Sequence, residues 1–158
     1  MMLSINNQTT SSARALKMLL VSAALSSMSA NSALAKTSDT PIHFAKGAIS
    51  SVVTGQLNPK EEARWYRFNA AAAQYVIINI APVAGTPETA NVGVLYMPNG
   101  TQDGTKGGII YQGCLPATGE YRLRVARNLM ATQGKTAGYK AEVVVLPKFA
   151  SKSLCENK

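Results

Sequence analysis

The sequence predicts an all-β fold, an antiparallel two-sheet β-sandwich of about seven or eight short strands held by one disulfide. Three observations predict it. Beyond residue 35, short runs alternate apolar and polar side chains, the two-residue period of a strand with one face buried. Gly, Pro and Asn turns separate these runs at fairly regular spacing. Helix signals are almost absent from the same stretch. A small closed barrel is the alternative closure for such a chain.

In order, Ile42 and Phe44 alternate with His43 and Ala45 until Gly47, and Ala48 to Leu57 is β-branched and polar by turns. The segment 58–62 (NPKEE) is a turn or a short helical turn. Arg64 to Asn69 reads as a strand with Tyr66 and Phe68 on one face and Trp65 and Arg67 on the other. Ala70 to Ala73 is a tight connection rather than a helix. Gln74 to Ala81 follows, with Val76, Ile78 and Ile80 sharing a face. Pro82 to Ala90 is looser, Val92 to Met97 is a strand, and Pro98-Asn99-Gly100 stops it. Thr101 to Gly108, rich in glycine, is expected to be a loop and Ile109 to Gln112 a short strand. Tyr121, Leu123 and Val125 then line one face of a strand with Arg122 and Arg124 opposite. Asn128 to Gly138 is a loop, and Tyr139, Ala141, Val143 and Val145 line the last strand.

The N-terminus is expected to be a signal peptide, residues 1–35. Arg14 and Lys17 supply its positive region, 18–28 (MLLVSAALSSM) its apolar core, and Ala33-Leu34-Ala35 the small residues a signal peptidase reads. The apolar run is too short for a transmembrane helix. Export places the rest in the periplasm as one domain, 36–147, with a polar C-terminal tail, 148–158. That exported part carries fourteen Lys and Arg against eight Asp and Glu, a net charge of +6. Such a surface suits an acidic partner. Nucleic acid is not expected, since export removes the chain from it and the positive residues are scattered. Membrane insertion is not expected either, and no oligomeric state is legible. The two cysteines, Cys114 and Cys155, are expected to pair as in most exported chains, pinning the tail to the domain.

Catalytic chemistry is missing from the sequence. The single histidine, His43, has no Gly-x-Ser-x-Gly elbow to serve, and paired cysteines leave no thiolate. Glu61 and Glu62 are adjacent in a turn, and 104–108 (GTKGG) lacks the spacing of a phosphate loop. Two thiols and one imidazole do not make a metal site. The chain is read as a binding protein, not an enzyme, with no cofactor.

The series Phe44-x-Lys46-Gly47, Tyr66-x-Phe68-x-Ala70, Gln74-x-Val76-x-Ile78, Leu115-Pro116-Ala117-Thr118-Gly119-x-Tyr121-x-Leu123-Arg124-Val125, Arg127-Asn128 and Lys135-Thr136 resembles the bacterial periplasmic inhibitors of goose-type lysozyme. The resemblance implies a sandwich whose loops enter and block the acidic cleft of a goose-type lysozyme. It implies target contacts at Arg127, Asn128, Lys135, Thr118 and Tyr121. Arg127 follows the strand Tyr121 to Val125 on the parity of its apolar residues, but a guanidinium is costly to bury unpaired, so the chain is expected to leave the sheet there and direct it outward. The family's second arginine has no counterpart here; Leu129, Met130 and Ala131 occupy that region. The competing expectation is a carbohydrate- or peptidoglycan-binding accessory sandwich, similar to pre-peptidase C-terminal domains, with Trp65 and Tyr75 as aromatics on one open face.

Overall fold

The computed structural model describes residues 39–156, so the expected signal peptide lies outside the described residues. Ten strands and one helix follow in order: β1 (Thr40–Pro41), β2 (Ser50–Leu57), β3 (Ala63–Ala70), β4 (Tyr75–Ala81), β5 (Glu88–Thr89), β6 (Val92–Tyr96), β7 (Gln102–Lys106), β8 (Gly108–Cys114), β9 (Gly119–Ala126), β10 (Ala137–Val145) and α1 (Lys148–Cys155). They form two sheets, β1-β3-β9-β6-β7 and β2-β10-β4-β8, with β5 paired to β10. The pairings are antiparallel except β1 with β3 and β5 with β10, two short parallel contacts. The expected two-sheet sandwich is therefore the architecture.

Alternation explains the core. Tyr66 and Phe68 of β3, Leu95 of β6, and Tyr121, Leu123 and Val125 of β9 face Val76, Ile78 and Ile80 of β4 and Tyr139, Ala141 and Val143 of β10. Residues of opposite parity point outward. One register shift, between Ile78 and Asn79, lets consecutive residues Ile110 and Tyr111 of β8 both be buried. At the heart of the core the Tyr66 and Tyr139 hydroxyls meet at 2.5 Å. Burial, then the bond to Tyr66, raises the Tyr139 hydroxyl above its ordinary range. Gly55 stands opposite Tyr139, and a Cβ there would lie 2.3 Å from the Tyr139 oxygen, so only glycine fits.

Two local expectations are corrected. The segment 102–106 is not a loop but edge strand β7, paired to β6 and exposed at every residue. Its lack of apolar alternation follows from having nothing beneath it. Ile42 to Phe44 is not a strand: β1 ends at Pro41, although Ile42 N still donates to Arg67 O. The polar tail is helical over Lys148–Cys155. Ser151, the buried residue of α1, accepts from Tyr75 N at 2.8 Å, and its one hydroxyl proton is shared between Leu146 O and Pro147 O.

Candidate functional site

The central strand β9 separates the expected contact residues. Its eight residues span about 25 Å. Thr118 and Tyr121 lie at or near its start, and Arg127 follows its end. Asn128 and Lys135 belong with Arg127, in the β9–β10 loop. The residues named from sequence thus fall at two opposite ends of the sandwich.

At the first end, Tyr121 is wholly buried, its ring stacked on Phe68 at 5.7 Å between centroids. Its hydroxyl donates to Ala117 O at 2.6 Å, the backbone bond of a tyrosine corner. Thr118 is exposed, and its hydroxyl oxygen accepts from Ala72 N at 2.9 Å. Ala70 to Ala73 is the tight connection expected, with Gln74 N donating to Ala71 O. The same end carries α1 and the Cys114–Cys155 disulfide, whose α-carbons are 5.7 Å apart. Two bridged thiols were expected and are found.

At the second end, Arg127 points inward, not outward, and is 5 % exposed. Parity explains this: 121, 123, 125 and 127 share the core face. A buried guanidinium needs partners, and it has them. Nε donates to Glu61 O at 2.8 Å, one terminal nitrogen to Leu57 O and Asn58 O at 2.6 Å each, and the other to Lys135 O and to Glu88 Oε2, the latter at 3.0 Å. Glu88 completes the hub. Its carboxylate accepts from the Thr132 hydroxyl at 2.6 Å, Gln133 N at 2.7 Å and Lys135 N at 3.0 Å. The Thr132 bond, then that from Lys135 N, hold the Glu88 carboxyl below its ordinary value, against some desolvation and with help from Gln133 N and Arg127.

The hub shapes the loop above it. Asn128 O accepts from Ala131 N at 3.0 Å, and Asn128 Oδ1 from Met130 N at 3.3 Å, closing a tight turn with Leu129 and Met130 at its corners. Lys135 is exposed beside it. A polar cleft of about 300 Å³ lies between this loop and the segment 87–91. Asn91 is among its lining residues, and the Asn91 Oδ1 atom is buried without a hydrogen-bond partner. Sequence reasoning missed Glu88, because nothing local marks a glutamate as the partner of an arginine 39 positions away.

Trp65 and Tyr75 do not share a face: they sit on the outer faces of different sheets. Trp65 packs instead against Tyr96 at 5.2 Å, and the Arg122 guanidinium lies over its ring at 4.6 Å while pairing with Asp39. The ring face a sugar would stack on is therefore occupied by a side chain of the same domain. Among the described residues, no three His, Cys, Asp or Glu side chains gather as metal ligands would, and no helix is long and apolar enough to cross a membrane.

No known family profile and no curated protein matches the sequence. Solved structures do. The chain is similar to PliG of Aeromonas hydrophila, a periplasmic inhibitor of g-type lysozyme, with 23 % identity and a TM-score of 0.54 over 69 % of this chain and 96 % of that one. It is similar to Salmonella Typhimurium PliG (21 % identity, TM-score 0.52, 68 % and 97 % covered) and to a mutant of Escherichia coli PliG (22 %, 0.51, 68 % and 97 %). Described residues and comparison agree on architecture: the chain has the β-sandwich fold of the periplasmic inhibitors of g-type lysozyme.

Proposed function

We propose that this protein is a periplasmic inhibitor of a goose-type lysozyme, exported by cleavage after Ala35, and that it acts by occlusion rather than catalysis. One observation carries the reading. The longest run of residues that resembles those inhibitors falls, in a sandwich of the same fold, on one continuous path: the β8–β9 turn (Leu115 to Thr118), β9, its exit at Arg127-Asn128 and the entry to β10 at Lys135-Thr136. A net +6 surface attracts an acidic, sugar-binding cleft, speeding association and making it salt-sensitive.

In this mechanism the β9–β10 loop enters the cleft. Asn128 and Lys135 touch the target. Arg127 contributes by holding the loop in shape, so its inward placement makes it a positioning residue. The turn at Thr118, supported by Tyr121, is the alternative contact, and its distance from Arg127 makes the two ends separable by mutation.

Inhibition assays against goose-type, chicken-type and invertebrate-type lysozymes, run in parallel, test the reading. Inhibition of the goose-type enzyme, weakened by Asn128→Ala with Lys135→Ala and not by Thr118→Ala, is the expected result. Loss only with Thr118→Ala would move the contact to the other end. No inhibition of any of the three would overturn the function.

A further inference from the structure

The corners of the 128–131 turn are the least protected apolar side chains of this end. Met130 is 99 % exposed and Leu129 is 62 % exposed. Turn corners ordinarily hold Gly, Asn, Asp, Ser or Pro, for conformational and solvation reasons that Leu and Met do not share. Neither residue packs on the core, so neither is explained by folding. Yet the turn that carries them is organised with care: Asn128 closes it twice, and Glu88 receives three bonds from Thr132, Gln133 and Lys135 just behind it. The ordering cost of presenting the tip is thus already met in the free protein.

A rigid apolar tip beside exposed polar and basic groups, Gln133 and Lys135, has the anatomy of an interface hot spot with a polar rim. We propose that Leu129 and Met130 form an apolar anchor that enters an apolar-walled pocket within an acidic cleft of the partner protein. The acidic character of that cleft follows from the charge of this chain, and the apolar wall from the tip. The proposal rests on the inhibitor reading and deepens it: affinity comes from an aliphatic knob, with Lys135 guiding it. The thioether suits the task, because three rotatable bonds and a polarizable sulfur fit pockets of irregular shape.

The test uses the exported protein and three variants, Met130→Ser, Leu129→Ser with Met130→Ser, and Met130→Leu. Inhibition constants against a goose-type lysozyme are measured beside thermal melting. Both side chains are exposed, so melting should not move. The double variant should lose at least about tenfold in affinity, the effect of removing a central anchor, and Met130→Leu should retain it. Wild-type inhibition that the double variant matches would overturn the anchor and leave the inhibitor reading standing. Failure of the wild type to inhibit would remove both. Co-sedimentation with phosphatidylglycerol–phosphatidylethanolamine vesicles, abolished in the double variant, would assign the tip to a membrane and overturn the proposal.

Discussion

The two ends of the sandwich are closed by different physics. At the end holding Thr118, closure is covalent and aromatic. The disulfide ties α1 to β8, Ser151 fastens the helix to β4, and Tyr121 locks the turn before it. At the other end, closure is by one buried arginine that collects four backbone carbonyls and a carboxylate. Carbonyls of the 57–61 turn and of the β9–β10 loop meet on a single side chain. A loop gathered this way is fastened at its base and leaves the side chains of its tip uncovered. A recognition loop needs that combination, and the covalently closed end does not offer it.

The largest test of this contrast is Arg127→Ala. Removing the buried guanidinium takes its ion pair from Glu88 and a donor from each of four backbone carbonyls. A loss of about 3–5 kcal/mol in urea unfolding is expected; a loss below about 1 kcal/mol would mean the arginine does not close its end. Replacing both cysteines by serine should cost about 2–4 kcal/mol by the same measurement while leaving inhibition intact. Inhibition lost on reduction would erase the distinction between the ends. Tyr121→Phe sharpens it further. Deleting the hydroxyl that bonds Ala117 O should cost about 1 kcal/mol and leave the β9–β10 loop unchanged by NMR.

The most local test is pH. The folded Glu88 carboxyl sits below its ordinary value of 4.5, so its contribution is complete above that value and lost as pH falls through the lower, folded one. Acid titration should move the Gln133 and Lys135 amide signals together, because both donate to this carboxylate. Signals that stay fixed while the protein remains folded would show that Glu88 does not hold the loop.

Most of the sandwich was legible because its strands bury one face, and that face is written in alternation. Arg64 to Asn69 and Tyr121 to Val125 were found in this way. β7 was not, since an exposed edge strand carries no such signature. Arg127 teaches the sharper lesson. Its parity pointed inward, and only the cost of an unpaired guanidinium argued for the opposite. The pairing was there, but its acceptors lie 66 to 70 positions earlier, at Glu88, and at Lys135. Non-local satisfaction of this kind leaves no mark in a single sequence. Helix α1 was missed for a related reason: it is short, and the contacts that fix it come from β4 and from the disulfide.

The disulfide has a consequence for proteolysis. The ring closed by Cys114 and Cys155 encloses β9 and β10, each flanked on both sides within its own sheet. The exposed Met130 turn lies inside that ring. A protease cutting there would produce two pieces still joined by sulfur, with both inner strands still seated in their sheets. Cleaved protein would run as one band without reductant and as two with it. A protein whose exposed turn lies inside such a ring can therefore be nicked there without being dismantled.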